Sequence, residues 1–264
     1  MDTLSIVVPV YNEARRLPIL FAALDEDAQR EASRAGLELI EVLAVDDGST
    51  DSTHEFLEAR TSADARFRTV RLDRNRGKGA AVCTGALEAT GRYLLVTDVD
   101  LSTPLTELDK LMAAIRDGND VAIGSRGLPA SNVVVHQPPH RELMGKSFNA
   151  LLRLLTGMPY RDTQCGFKLF RLDRTRVLFE IQQIEGFAFD AELCLNASRL
   201  GLSVAEVPVL WRDNRDTRVR ILRSSLRMAL DLLRIARVAR RPLPVPAPPA
   251  DDEPESHSSV ATRA

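Results

Sequence analysis

The chain has 264 residues, 44% of them hydrophobic, and a formal net charge of −2. That is enough apolar material for a sizeable core, and a near-neutral balance supplies no basic field of the kind that attracts nucleic acid, so no nucleic-acid partner is expected. The three cysteines, Cys83, Cys165 and Cys194, are odd in number and form no CxxC, which fits reduced thiols in a cytoplasmic protein rather than a disulfide framework or a metal cluster.

Residues 4–10 (LSIVVPV) are a near-continuous β-branched apolar run, the pattern of an interior parallel strand covered on both faces. Tyr11, Asn12 and Glu13 follow at its end. Leu17, Leu20, Phe21 and Leu24 then recur at helical spacing, predicting a helix over 15–36. A second strand, 41–45, stops at Asp46-Asp47-Gly48-Ser49-Thr50-Asp51, where glycine permits a tight turn and the polar side chains can cap the next helix. Residues 67–72 form a third strand. Asn75-Arg76-Gly77-Lys78-Gly79 follows as a glycine-bracketed basic turn opening a helix over 80–90. Backbone N–H groups at a helix start, together with Lys78, suit an anion, although the GxxxxGK[ST] spacing of a P-loop is absent.

The fourth strand, 92–97, ends at Asp98 and Asp100. Residues two apart on a strand point to one side, so both carboxylates leave the carboxyl edge of an α/β sheet together, where a ligand crevice is expected. They suit a hard divalent cation that bridges to substrate phosphates. Thr103 and Pro104 are predicted to open a helix over 105–117 as N-cap and N1, and a fifth strand, 120–124, leads to Ser125 and Arg126. Strands alternating with helices argue for an α/β fold: a mostly parallel central sheet with right-handed crossovers and helices on both faces.

Beyond Gly127 the texture changes. Residues 128–140, with three prolines and a VVV run, read as a loop or lid, and 141–156 as a helix. Residues 161–170 read as a turn running into a strand, and 203–211 as a strand whose Pro208 indicates an edge position. Residues 218–241 form a basic amphipathic helix that either lies in a membrane interface or packs on its own domain with a solvated arginine face. The Pro-rich, acidic stretch 242–264 is expected to be disordered. No apolar run approaches the ~20 residues that span a bilayer. With a strand predicted within a few residues of its first residue, no signal peptide is expected.

Taken together, the runs VVPVYNE (7–13), VDDGSTD (45–51), NRGKG (75–79) and DVD (98–100) resemble family 2 glycosyltransferases of GT-A fold. Gly124-Ser125-Arg126, RDTQCGFKLF (161–170), Phe189-Asp190-Ala191-Glu192 and EVPVLW (206–211) are similar to the polyprenyl-phosphate sugar synthases, the dolichyl-phosphate β-glucosyltransferases among them. The resemblance covers about residues 4–240. It implies one GT-A domain over 1–241, with a nucleotide-binding half (1–127), an acceptor half (128–217) and the basic helix (218–241). It implies that Pro9, Tyr11 and Glu13 line the nucleotide pocket and that Asp46 and Asp47 contact base and ribose. Lys78 and Asp98 would sit near the nucleotide and its diphosphate, and Asp100 would ligate Mg2+ or Mn2+. Arg126 and Arg141 would grip the acceptor phosphate, and Asp162, Gln164 and Lys168 would close the sugar pocket. Asp190 and Glu192 would stand where a base or an acceptor-binding carboxylate is found, Asp190 being the candidate base for a hydroxyl acceptor.

The implied activity is inverting, metal-dependent transfer of a hexose, glucose from UDP-glucose, to a polyprenyl or dolichyl phosphate by a protein peripheral on the inner face of the membrane. The alternatives are a GDP-mannose-dependent polyprenyl-phosphate mannosyltransferase, a soluble transferase with a hydroxyl acceptor, and a nucleotide-sugar-binding module without catalysis. Two features depart from the family. Ser102 stands where mannosyl-transferring relatives often carry a metal-binding Gln, and the N-terminal membrane helix of the eukaryotic glucosyl enzyme has no counterpart. A lipid acceptor would then be met by the basic helix or delivered by a partner.

Overall fold

The first strand sets the layers. β1 (Asp2–Val10) turns Leu4, Ile6, Val8 and Val10 into one apolar layer and Val7 into the other, the alternation of a strand buried on both faces. This computed structural model describes residues 1–135, 139–213, 221–240 and 242, with the backbone alone at 139–141 and 221–229.

The predicted first helix is a continuous rod of three parts: α1 (Leu17–Ala23), a π-helical turn (Leu24–Ala28) and α2 (Gln29–Arg34). Then come β2 (Leu37–Asp46), α3 (Thr53–Ala63), β3 (Phe67–Arg71), α4 (Lys78–Glu88) and β4 (Tyr93–Val96). A 3-10 turn (Leu105–Glu107) leads into α5 (Leu108–Arg116), followed by β5 (Val121–Ser125), β6 (Asn132–Val135) and α6 (Pro139–Thr156). The chain continues through β7 (Lys168–Arg171), α7 (Leu172–Glu180), α8 (Phe189–Arg199), β8 (Val204–Pro208), β9 (Leu210–Arg212) and α9 (Ile221–Arg240).

Seven strands form one sheet in the order β3-β2-β1-β4-β7-β5-β8. All neighbours are parallel except β7, which runs antiparallel between β4 and β5. α1, α2 and α5 pack on one face; α4, α7 and α8 cover the other, with α6 and α9 outside them. β8 is an edge strand, as Pro208 indicates.

Several expectations change. Pro104 has extended backbone and caps the 3-10 turn instead of entering a helix. Thr103 is buried, its hydroxyl 3.7 Å from the Cys165 sulfur, so it caps nothing. Residues 128–140 are not wholly loop, because β6 pairs with β9 in a small parallel sheet. The predicted strand 203–211 is two strands belonging to different sheets, and α7 was not anticipated. Residues 136–138, the predicted tail beyond Pro242, and Arg218 to Arg220 of the predicted basic helix lie outside the described residues. Among the described residues no helix is long and apolar enough to cross a membrane.

Candidate active site at the carboxyl edge of the sheet

β4 stops at Val96, two residues before Asp98. Leu94 and Val96 face the layer of α4 and α8, and Asp98 continues on that side. There Lys78, at the start of α4, places its Nζ 2.6 Å from Asp98 Oδ1. Asp100 does not follow strand alternation. The chain turns at Leu101, whose φ of 46° is uncommon for a branched residue, and the Leu101 N–H donates to the Asp98 carbonyl at 3.1 Å. Ser102 N–H donates to Asp100 Oδ1 at 3.0 Å.

The two carboxylates are driven apart. Burial works to raise Asp98, but Lys78, Lys168 and Arg126 outweigh it and hold the group below the usual carboxylate range. Burial and the Asp98 charge push Asp100 above it. Burial opposes charge on Lys78 too, yet Asp98, Asp190 and Asp100 lift it to about 12, so its ammonium persists at neutral pH.

The turn that carries Lys78 is built from distant groups. Asp47 is buried and accepts from Arg76 N–H (2.7 Å), Gly77 N–H (2.8 Å) and Asn75 Nδ2 (2.9 Å). Gly77 has φ +121°, and a Cβ there would collide with the Glu185 carbonyl oxygen. Glu192, fully enclosed, accepts N–H bonds from Gln183 (2.9 Å) and Ile184 (2.7 Å) and so fixes the loop against which that turn rests. Expected to contact the acceptor, Glu192 instead faces protein on all sides. Asp46 is likewise fully buried, with Oδ1 accepting Ser49 N–H at 2.8 Å and Oδ2 facing His54 Nδ1 at 3.6 Å and Arg71 Nε at 3.5 Å. Asp46 and Asp47, implied contacts of base and ribose, are thus both buried and bonded within the protein.

At the end of β1, Pro9 is half-buried and Tyr11 exposed. Glu13 pairs with Arg16, and its N–H donates to Thr53 Oγ1 at 2.8 Å. Asn12 adopts φ 54° and its Oδ1 accepts Thr50 N–H at 2.8 Å, fastening this strand end to the DDGST turn. Asn tolerates the left-handed region better than other side chains, a signal that could have singled it out. Arg16 also faces the Asp100 charge and has a buried Nη2 with no hydrogen-bond partner.

On the other flank, Arg126 makes a two-pronged contact with Asp162: Nε to Oδ2 at 2.7 Å and Nη2 to Oδ1 at 2.9 Å. Its guanidinium stands 5.3 Å above the Trp211 ring. Asp162 is buried and also takes the Gln164 N–H at 3.1 Å, while Gln164 Nε2 is buried without a partner. Glu206, given no role by the sequence, receives the Ser125 hydroxyl (2.7 Å) and the Asp162 N–H (2.8 Å), and so supports this flank from β8. A carboxylate in an otherwise apolar strand was the available signal. Lys168 is 1% exposed and donates to Asp190 and to the Cys165 carbonyl, while Asp190 is 3% exposed. Among the described residues both are almost fully buried and bonded to each other, whereas the resemblance implied a sugar-contacting lysine and a substrate-facing base. The backbone of Arg141 lies in α6; its side chain is outside the described residues.

The edge thus gathers Lys78, Lys168 and Arg126 against Asp98, Asp100, Asp162 and Asp190. Carboxylate oxygens suit a hard divalent cation, and Asp100, pushed upward by a like charge, is the group such an ion would relieve. No cluster of three or more His, Cys, Asp or Glu among the described residues could hold a metal alone. The remaining ligands would come from water and a bound anion.

The sequence profile of glycosyl transferase family 2 matches residues 5–179. The dolichyl-phosphate beta-glucosyltransferase of Drosophila melanogaster is 37% identical over 243 residues, covering 88% of this chain and 74% of that protein. The Homo sapiens protein of the same description is 33% identical over 238 residues, covering 87% and 74%. A crystal structure of glucosyl-3-phosphoglycerate synthase from Mycobacterium tuberculosis, in complex with Mn2+, uridine-diphosphate-glucose and glycerol 3-phosphate, superposes with a TM-score of 0.64 at 20% identity, covering 89% of this chain and 80% of that one. At that identity the likeness concerns the fold, which is GT-A.

Proposed function

The chain belongs to glycosyl transferase family 2, and on that premise we propose that it transfers glucose from UDP-glucose to the phosphate of a polyprenyl phosphate, with inversion and with a divalent cation, Mg2+ or Mn2+. The relatives named for a dolichyl-phosphate acceptor support the acceptor class, and the Mn2+–UDP-glucose complex of the structural neighbour is consistent with the donor and the metal.

The observation that carries the acceptor reading is the enclosure of Asp190. It is 3% exposed and bonded to Lys168, so it is not poised to take a proton from an acceptor hydroxyl. Asp98 is a poor base too, being ion-paired and held below the usual range. A phosphate oxygen is already anionic at neutral pH and needs no base.

In this mechanism the bond from the anomeric carbon to the β-phosphate breaks as the acceptor phosphate oxygen attacks from the opposite face. Asp100 would hold the cation, which would supply Lewis-acid stabilisation of charge on the departing diphosphate. Lys78 adds a fixed ammonium at the same edge. The Arg126 fork, oriented by Asp162 and Trp211, is the group that positions the acceptor phosphate. Residues 1–127 form the nucleotide-binding half and 128–217 the acceptor half of one GT-A domain, with Arg126 at their border reaching the acceptor.

The chain lies at the cytoplasmic face of the membrane as a peripheral protein. α6 and α9 pack together and expose Leu143, Leu151, Leu154 and Leu155 on the first and Leu230 and Leu233 on the second, with Lys146, paired with Glu142, and Arg234, paired with Asp231, exposed beside them. Such a face suits an anionic lipid interface.

The deciding assay follows radiolabelled sugar from UDP-glucose and, in parallel, GDP-mannose into a short polyprenyl phosphate, with and without EDTA. Product from UDP-glucose that EDTA abolishes is the expected result. Product from GDP-mannose alone moves the donor to mannose. No product from either donor while UDP still binds moves the acceptor to a soluble hydroxyl compound.

A further inference from the structure

Lys168 is a charged residue inside the sheet. It is the first residue of β7, pairs with Val96 of β4 and Ile123 of β5, and is almost fully buried. Strand alternation sends it, with Phe170, toward the layer of α4 and α8, where its ammonium donates to Asp190 in the first turn of α8 and to the Cys165 carbonyl. A buried ion pair is a weak stabiliser, because desolvating both charges offsets their attraction, and apolar side chains of similar volume serve a core as well or better. Stability alone does not account for this pair.

What surrounds the pair does. A Cβ on Gly79, the neighbour of Lys78, would stand 2.7 Å from the Cβ of Phe189, the neighbour of Asp190, so the starts of α4 and α8 abut. The Asp190 charge acts on the Lys78 ammonium, which Asp98 holds in an ion pair. On the other side, the Cys165 carbonyl bonded to Lys168 precedes Gly166, and the Asp98 carboxylate occupies the space where a Gly166 side chain would be. The pair therefore bears on both members of the Lys78–Asp98 contact, through Asp190 on one and through Cys165–Gly166 on the other.

We propose that Lys168 and Asp190 are positioning residues for glycosyl transfer, a buried ion pair that fixes Lys78 Nζ against Asp98 at the edge where the leaving diphosphate develops its charge. The proposal rests on the family 2 transferase reading of this edge. A cation held in place before the reaction stabilises the transition state without reorganising, so its displacement lowers kcat more than it weakens donor binding.

The experiment compares two variants with the parent chain. Lys168→Met/Asp190→Leu replaces the pair by apolar residues of similar volume. It is expected to fold with a Tm near that of the parent, yet to lose about 10²-fold in kcat, as sub-ångström to 1 Å misplacements do, with KM for UDP-glucose and Kd for UDP changed less than about threefold. Asp190→Asn preserves shape and removes the Asp190 charge that acts on Lys78, leaving Lys168 bonded to the amide oxygen and to the Cys165 carbonyl, and its Tm is read beside kcat because that ammonium loses its counter-ion. Its expected results are about a tenfold fall in kcat and a crystal structure in which Lys78 Nζ has left Asp98. A folded double variant with parental kcat overturns the proposal, since the pair would then serve packing alone. If the double variant does not fold, Asp190→Asn decides: kcat within twofold of the parent, or an intact Lys78–Asp98 contact, overturns the proposal. If the parent transfers nothing from UDP-glucose, the donor reading fails, while the Lys78–Asp98 distance in the Asp190→Asn crystal still decides the positioning claim.

Discussion

Lys78 Nζ lies 2.6 Å from Asp98 Oδ1, whereas Asp100, two residues on, is bonded only by Ser102 among the described residues and sits beside the Asp98 charge. The two carboxylates of one DVD run are thus driven in opposite directions, Asp98 down and Asp100 up. Titratable neighbours pushed apart in this way take different roles. Asp98 is ion-paired with Lys78; Asp100, with only the Arg16 charge facing it among the described residues, has no ion pair of its own there.

Asp100→Ala should therefore lower kcat by about 10²–10³-fold, the scale on which one charge-stabilising group in an active site is felt. Radiolabel transfer at saturating Mg2+ or Mn2+ checks this. Near-parental turnover at saturating metal would remove Asp100 from the metal role.

Gly166 gives a second test, of geometry rather than charge. A side-chain carbon at this position would enter the space of the Asp98 carboxylate, which Lys78 holds and which cannot swing away without breaking that ion pair. Gly166→Ala is expected to lose at least about 10²-fold in kcat with a small fall in Tm. A crystal structure showing Asp98 in its parental position, with full activity, would contradict this.

The residues show why some of this was legible and some was not. LSIVVPV and DVD could be read because a strand covered on both faces is apolar throughout and its polar end marks the sheet edge. The place of β7 could not be read from KLFR, because an antiparallel strand between β4 and β5 is decided by its neighbours. For the same reason Lys168 looked like a ligand: its partner Asp190 lies 22 residues further on, in another helix. Asp47 and Glu192 looked like contact residues because their acceptors' needs are met by backbone N–H groups of distant loops, at Arg76 and Gly77 and at Gln183 and Ile184, which carry no side-chain signature. Thr103 had the right type and place for a cap, but burial beside Cys165 claimed its hydroxyl.

Acid stability should report on Glu41. It is buried and accepts the Ser5 hydroxyl, the Thr90 N–H and hydroxyl, and Arg68 Nη1, each at 2.7 Å. Burial works to raise it, but those donors outweigh burial and hold it below the usual range. Its contribution is thus full above the unfolded-chain value of about 4.3 and is lost as pH falls through the lower native value. Glu41→Gln should lower Tm at pH 7 by about 4–8 °C, from about 2 kcal/mol of charge-assisted bonding in a chain of this size. The gap between variant and parent should narrow as pH falls toward 3. A gap independent of pH would mean that the charge of Glu41 contributes nothing.

The exposed leucines of α6 test the membrane face. Leu154 is 81% exposed and Leu155 45%. Leu154→Ser/Leu155→Ser is expected to reduce co-flotation with anionic vesicles several-fold while leaving Tm and UDP binding at parental values, since neither side chain is in the core. Raising salt should weaken parental binding further, through the basic residues. Flotation unaffected by both changes would remove this face from the membrane contact.

Arg126 separates acceptor from donor. Replacing it by Ala would leave Asp162 buried and unpaired, which destabilises by about 3–5 kcal/mol and confuses folding with function. Arg126→Lys keeps the charge beside Asp162 but loses the planar fork and its place over Trp211. If the fork positions the acceptor phosphate, KM for the polyprenyl phosphate should rise about tenfold, equivalent to about 1.4 kcal/mol, while Kd for UDP stays within about twofold. An unchanged acceptor KM with parental kcat would restrict Arg126 to bracing Asp162, and the phosphate contact would then have to come from another cation on the acceptor side.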